Sequence, residues 1–468
     1  MQFPSNVKKL LDTKQINYTM TTYSNDTATA NHYRDHHLRD SNAARSILLE
    51  DERGKLLVVV PANCLLDLQR LCQLTSRNLH AVDAKEVENY ISSKNLDGIP
   101  AIPNISGLET VIDERLTKAQ EPILLDAGKS PHLLEIDNEA LDQLMAHKAS
   151  SLDIAIPIAQ IEQGLMSTDN DVADIKQSVS KFTALRIKQR LEDTLEMPPL
   201  PETAQRIIKL RVDPDADISD LSSIVETDPS LAAQVVSWAS SPYYSAPGKI
   251  RSIHDAIVRV LGFDMVLNLA LGIALSRTLD IPPRGPHGSQ TYWRTAVYMA
   301  ATMEGLVTAI DRPHRPGFGL AYLSGLLHNF GYLIIADVFP PYFDRLCKSW
   351  DANPHVDDSV VEKQQIGVSR QQLSSWLMDL WNMPQEVVTA LRHQDNPDYD
   401  GEHAIYANLL YISHRILCLR GLADGPKQPL SPEMLARVHL TQTDLDETLD
   451  NIIESALELE TIANELSH

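Results

Sequence analysis

The chain has 468 residues, 43% of them hydrophobic, and 41 basic against 63 acidic side chains give a formal net charge of -22. A chain of that length exceeds what one hydrophobic core organises, so two or more globular domains are expected. Neither the part before residue 150 nor the part after it is basic, which excludes capture of nucleic acid by a broad positive face.

From the amino end, Ser5 is placed to cap a short helix carrying Val7, Leu10 and Leu11. Ile47 to Leu49 and Lys55 to Val60, separated by a turn over Asp51 to Gly54 and ended by Pro61, predict a β-hairpin. Further strands are expected at 111–113, 123–125 and 132–136, the last two joined through a turn at Gly128, with helices over 65–74 and 139–147. This predicts a mixed α/β domain over residues 1–150.

Within it, the run Asp97-Gly98-Ile99-Pro100-Ala101-Ile102-Pro103-Asn104-Ile105-Ser106-Gly107-Leu108 is followed by Val111-Ile112-Asp113-Glu114 and by Asp126-Ala127-Gly128-Lys129-Ser130-Pro131-His132-Leu133. These segments, in this order, resemble the YbaK-type aminoacyl-tRNA deacylase family, which trims mischarged prolyl-tRNA, over roughly residues 5–148. The resemblance implies a lysine central to activity in the segment Ala43-Ala44-Arg45-Ser46-Ile47-Leu48, where this chain has Arg45. Arginine keeps its proton at any working pH and cannot serve as a flexible ammonium. Pro103-Asn104 also stands where a Gly-His-like pair is usual. The expectation is a degenerate editing-type domain, structural or ligand-sensing, with Arg45 as its vestigial editing position and tRNA not its partner.

Residues 151–196 read as a connector. Ile154 to Ile158 is a short extended piece, and Val172, Ile175, Val179, Phe182 and Leu185 recur at helical spacing from Asp171 onward. Met197-Pro198-Pro199-Leu200-Pro201 ends that helix and sets the entry of the next; a polyproline ligand is the other reading of the same run.

From Pro201 the pattern is helix after helix. The run Asp213-Pro214-Asp215-Ala216-Asp217 is placed to cap Ile218 to Glu226, Asp228 with Pro229 opens the next helix, and Ser252 with Asp255 forms a capping box. The box gives the His254-Asp255 pair a sufficient structural reason, so it is not read as a metal dyad. Met197-Pro198-Pro199-Leu200-Pro201-Glu202-Thr203-Ala204, Ile224-Val225-Glu226-Thr227-Asp228-Pro229-Ser230-Leu231-Ala232 and Ser252-Ile253-His254-Asp255-Ala256-Ile257 leading to Leu261-Gly262-Phe263 look like the HDOD family, an output domain related to the metal-dependent HD phosphohydrolases. The resemblance spans about residues 197–420. It implies an all-α fold and, for most members, a regulatory role without established catalysis.

HD hydrolases hold metal with a lone His, an adjacent His-Asp pair, often further His residues, and a late Asp, because the ion must be fixed while keeping a position open for water. Here the corresponding positions are Thr295, His328-Asn329, Arg370, His393 and His414. Three histidines remain and no carboxylate, while Arg370 would repel a metal. His328, Asn329, His393 and His414 are therefore expected to be vestigial, with no metal and no cofactor bound, and Leu326, Leu327, Phe330 and Leu333 to pack a core helix.

At the carboxyl end, Leu445, Leu449, Ile452, Ala456, Leu459, Ala463 and Leu466 form an apolar stripe on a helix capped at Thr443, with acidic residues and no Lys or Arg from Thr441 onward. Like charges oppose self-pairing, so the stripe is expected to pack within its own chain rather than as a dimeric coiled coil. Cys64, Cys72, Cys347 and Cys418 show no paired or zinc spacing and read as reduced thiols. No signal-peptide layout is seen over Met1 to Thr13, and the apolar run Val266 to Leu275 is about half the length of a membrane span, which predicts a cytoplasmic location. The whole reads as four segments, 1–150, 151–196, 197–430 and an acidic amphipathic helix over 431–468. The expected function is non-catalytic signal transduction through protein partners. The alternative is a hydrolase, acting either as a phosphohydrolase at the HD-like site or as an aminoacyl-tRNA deacylase in the first domain.

Overall fold

The computed structural model describes residues 4–22, 42–96, 98–102, 107–128, 132–145, 149–166, 168–187, 200–245, 248–276, 288–425 and 429–467. The chain divides into two compact units, the first holding Met1–Leu165 together with Asp344–Val361 and Gly425–Gln428.

The first unit is mixed α/β. Its strands are β1 (Thr19–Thr22), β2 (Ala44–Asp51), β3 (Gly54–Pro61), β4 (Cys64–Leu66), β5 (His80–Ala81), β6 (Glu109–Asp113), β7 (Ile123–Asp126), β8 (His132–Ile136), β9 (Ala149–Leu152) and β10 (Ala155–Pro157). A five-stranded sheet runs β5-β2-β3-β6-β9, a three-stranded sheet β1-β8-β7, and β10 pairs with β4. The predicted hairpin is β2 and β3, in register from Ala44 opposite Pro61 to Asp51 opposite Gly54. Gly54 sits at φ +111°, a backbone state that side chains resist.

β3 is central, with β2 antiparallel on one side and β6 parallel on the other. Its side chains alternate between two cores. Leu57 and Val59 pack with Ile112, Leu125 and Leu134, while Leu56, Val58 and Val60 pack with Leu49, Leu66 and Val111. A strand covered on both faces reads as a continuous apolar run rather than an alternation, which is why Leu56 to Val60 is so prominent in the sequence.

The helix expected over 65–74 begins later. Asp67 accepts a hydrogen bond from the Arg70 amide at 2.9 Å as N-cap of Leu68–Thr75, while Leu65 and Leu66 lie in β4 and Leu66 enters the second core. An N-cap residue holds non-helical backbone, so the residues before it are free to pair as a strand.

Asp344–Val361 joins this unit from far along the chain. The Asn353 amide accepts the Leu66 N–H at 2.8 Å, and donates to the Leu66 carbonyl at 3.1 Å and to the Ser349 carbonyl at 2.9 Å. It thereby satisfies both backbone groups of a strand residue, as a neighbouring strand would. His355 donates from Nε2 to the Cys64 carbonyl at 2.9 Å, and Ala352 lies in the second core.

The second unit is all helical among its described residues. Ser289–Ala309 is packed by Phe318–Leu327, Ala404–Leu419, Gln442–Glu454 and Ala456–Leu466. Asp228 caps Pro229–Ser240 through the Ser230 and Leu231 amides. Ser252 accepts from the Asp255 amide at 3.0 Å, but the Asp255 carboxylate reaches the Arg251 amide instead, at 3.1 Å, so only half of the expected capping box forms.

Among the described residues, a longer apolar helical stretch than Val266 to Leu275 is Phe318–Val338, 21 residues that by length and composition suffice to cross a membrane. Its apolar window is 83% buried inside the protein, as a core helix is. The polar pair His328-Asn329 divides this stretch in the sequence.

The carboxyl-terminal stripe is covered within the unit, since both of its helices pack on Ser289–Ala309. Two details differ from expectation. The cap is Thr441, in a reciprocal box with Asp444, and the stripe is two helices broken at Ser455 rather than one.

Candidate functional site

His328 and Asn329 form the joint between Phe318–Leu327 and Phe330–Val338. Two glycines let neighbouring backbone approach that joint. A Cβ on Gly325 would stand 2.8 Å from the Ala300 Cα, and one on Gly331 would stand 2.0 Å from the Arg370 carbonyl oxygen. Real Cβ atoms do not come so close, so helix packing alone requires both glycines.

Arg370 opens the helix Arg370–Leu380 behind the N-cap Ser369. Its Nε donates to Glu362, its backbone N–H donates to the other Glu362 oxygen at 2.6 Å, and its Nη1 donates to the Asn329 Oδ1 at 2.8 Å. The guanidinium carbon lies 5.6 Å from the centre of the Tyr332 ring. Glu362 is 0% exposed and Arg370 8%. One buried anion is therefore matched by one buried cation, and the neutral Asn329 amide completes the set without adding charge.

His328 is neutral here. Its Nδ1 lies 2.8 Å from the Gly325 carbonyl oxygen, and a carbonyl only accepts, so Nδ1 carries the proton. Burial pushes its pKa down to about 3, and the neighbouring His414 and Arg370 oppose protonation further. Gln394 donates to the His328 carbonyl at 3.0 Å.

The other sequence-expected positions are occupied elsewhere. His414 donates from Nε2 to the Asp424 carbonyl at 3.1 Å and stands 3.5 Å from the Cys418 sulfur. His393 stacks on Tyr399, with ring centres 3.8 Å apart, and burial followed by the adjacent Arg392 lowers its pKa to about 4. Thr295 donates to the Thr291 carbonyl of its own helix at 2.9 Å. The structure thus joins Asn329 directly to Arg370, keeps His328 and His414 within electrostatic reach, and turns His393 toward Tyr399. Among the described residues, no group of three or more His, Cys, Asp or Glu side chains is placed to hold a metal ion. The residues present do not fit a divalent ion, because Asn329 accepts from a guanidinium that is itself paired with Glu362.

Sequence reasoning did not find Glu362. A single acid in Val360-Val361-Glu362-Lys363 carries no spacing signal, and its partner is eight residues away across a turn and a cap. Asp171, where the sequence places the start of a helix, begins Asp171–Ile187, and its ties to this region carry no sequence signal. Asp171 accepts from Arg392 and, at 2.5 Å, from Gln372, while Asp174 pairs with Lys363 at 2.7 Å.

In the first unit, Arg45 is buried on β2 opposite Val60. The adjacent Ser46 donates to the Ile99 carbonyl at 2.6 Å. Pro103 and Asn104 lie outside the described residues, as do Lys129 to Pro131.

A family model described as the HDOD domain matches residues 197–397, and one described as the aminoacyl-tRNA editing domain matches residues 25–144. A crystal structure from Marinobacter aquaeolei VT8, provisionally named a signal transduction protein, is 40% identical, covers 100% of this chain and 100% of its own, and superposes with a TM-score of 0.87. A structure from Shewanella amazonensis SB2B, provisionally named a phosphohydrolase, is 17% identical over 64% of this chain and 99% of its own, with a TM-score of 0.48. A Treponema pallidum (strain Nichols) protein described as uncharacterized is 22% identical over 295 residues and 62% of this chain; the chain spans about half of that curated relative's length, 54%.

Proposed function

Because the chain belongs to the HDOD family, with an aminoacyl-tRNA editing-type domain ahead of the helical one, we propose that it is a signal-transduction protein that acts by binding protein partners in the cytoplasm and not by hydrolysis. The observation that carries this reading is the Arg370 guanidinium bound to Glu362 and Asn329. A metal brought within 4 Å of a fixed guanidinium meets a repulsion of about 4 kcal/mol per unit of metal charge at an effective dielectric of 20. A dication meets twice that, of which Glu362, already paired with the guanidinium, offsets a part, and no carboxylate stands at the HD-like positions to supply the rest. The internal cation takes the electrostatic place of the ion and leaves no position for an activated water. In the editing-type domain, Arg45 supports the same reading, since a buried and permanently protonated guanidinium replaces a lysine whose mobility the deacylase chemistry uses.

The test is elemental analysis of the purified full-length protein, together with hydrolysis assays on cyclic dinucleotides and mischarged prolyl-tRNA. The expected result is metal far below one equivalent and no turnover of either substrate. Stoichiometric, tightly held zinc, manganese or iron, or cyclic-dinucleotide turnover abolished by His328→Ala, would overturn the proposal in favour of a phosphohydrolase. Deacylation lost on Arg45→Ala would place activity in the first domain.

A further inference from the structure

Glu304 lies on the helix Ser289–Ala309, and its Oε2 accepts a hydrogen bond from the Tyr244 hydroxyl at 3.2 Å. No Lys or Arg is among the groups that perturb it, in contrast to Glu362, which has Arg370. The Tyr244 hydroxyl accepts in turn from the Trp238 indole N–H at 3.2 Å. Four rings surround this chain of hydrogen bonds in two near-perpendicular pairs. Tyr243 and Tyr244 have centres 4.9 Å apart at 89°, and Trp238 and Tyr322 have centres 6.1 Å apart at 76°. The Tyr322 hydroxyl, on a residue only 1% exposed, is buried beside Tyr244. Tyr243, Tyr244 and Glu304 are partly exposed, whereas Trp238 and Tyr322 are buried, so the cluster has a floor and a side open to solvent.

A carboxylate that loses hydration and gains one hydrogen bond is poorly compensated, and among the described residues nothing supplies the missing positive charge. Burial accordingly holds the Glu304 pKa up at about 7. Aromatic faces beside a carboxylate recognise one ligand chemistry well, a cation with apolar substituents: the rings attract it through their quadrupoles and the carboxylate attracts it directly. A bare metal ion fits poorly, because the phenols stay neutral and a single carboxylate is the only anionic ligand. We propose that Glu304, Tyr243, Tyr244, Tyr322 and Trp238 form a binding site for an alkylammonium group. The group belongs either to a free amine or to a lysine side chain of a partner protein.

The test uses full-length protein carrying fluorinated tryptophan, with the Trp238 fluorine resonance assigned by Trp238→Phe. Titration with tetramethylammonium chloride is expected to shift that resonance saturably, while sodium chloride and neopentyl alcohol, the neutral isostere, leave it in place. Glu304→Gln keeps the shape of the side chain and is expected to weaken binding about tenfold, the scale of one desolvated cation contact. Tyr243→Leu, on the exposed side, is expected to weaken binding likewise and serves if Glu304→Gln fails to fold. Absence of a saturable shift, an equal response to neopentyl alcohol, or undiminished binding by these variants would each overturn the site. A trimethyllysine peptide that binds more tightly than tetramethylammonium assigns the group to a protein partner. Equal or weaker binding assigns it to a free amine.

Discussion

Arg370 donates from Nη1 to the Asn329 Oδ1 across 2.8 Å. Glu362 already neutralises the guanidinium, so a carboxylate at position 329 would leave this buried set with net negative charge. The amide keeps the hydrogen bond and adds no charge. Asn329 and Arg370 thus work as one hydrogen-bonded unit.

Removing the cation alone should be costly. Arg370→Met strands Glu362 in the core, and urea unfolding should show a loss of about 3–5 kcal/mol, the scale for breaking a buried ion pair. Combining it with Glu362→Leu should recover most of that loss, because replacing both charges with apolar groups is close to neutral. A single variant within about 1 kcal/mol of the parent would contradict the pairing.

Metal binding should return only when the guanidinium leaves. Asn329→Asp by itself is expected to take up no zinc in a calorimetric titration, since Arg370 still occupies the locus. Asn329→Asp combined with Arg370→His gives a donor set with His328 and Glu362 nearby and is expected to bind one equivalent. Zinc uptake by Asn329→Asp alone would show that the carboxylate, and not the guanidinium, controls the site.

Acid should destabilise the protein through the buried His328 and the half-buried His393. The pKa of His328 falls from 6.5 in the unfolded chain to about 3 in the folded protein, and that of His393 to about 4. Between those values and 6.5 the unfolded chain binds more protons, so stability is fully present above pH 6.5 and is lost as the pH falls toward the folded values. Each histidine contributes a slope of about 1.4 kcal/mol per pH unit inside its window. Urea midpoints at a series of pH values should therefore fall less steeply for His328→Gln than for the parent. Parallel curves would mean that His328 takes up its proton as readily folded as unfolded.

Asn353→Ala should loosen β4 specifically. Both backbone groups of Leu66 lose a partner, at about 1–3 kcal/mol for each group left buried and unpaired. Hydrogen exchange at the Leu66 amide is the direct measurement, with faster exchange there than in the β2–β3 hairpin expected. Unchanged protection at Leu66 would remove Asn353 from the fold of that strand.

What was legible in the sequence was local. Leu56 to Val60 announced a strand of the hairpin because a buried strand reads as an unbroken apolar run, though its cover on both faces showed only in the structure, and the run ending at Asp217, Asp228 and Ser252 announced helix starts because capping is chemistry between near neighbours. The two mixed and helical regions followed from these signals. The partner of Arg370 was not legible, because a buried acid has the same letters as a solvated one. The Leu66 to Asn353 bond spans 287 positions, and no periodicity encodes it. The tail shows an intermediate case: its apolar spacing survived the break at Ser455, so the stripe was visible while the break was not.

The Asn353 amide that completes β4 also bears on how the gene for such a chain can be cut. A cut after residue 165 would separate Leu66 and Cys64 from Asn353 and His355, and would leave Ala352 outside the core it fills. The editing-type unit is a discontinuous cassette, and the segment that carries Asn353 and His355 is made only when translation has reached Asp344–Val361. Its amino-terminal part is therefore synthesised well before it can close, and the two units are expected to be inherited together rather than exchanged singly between proteins.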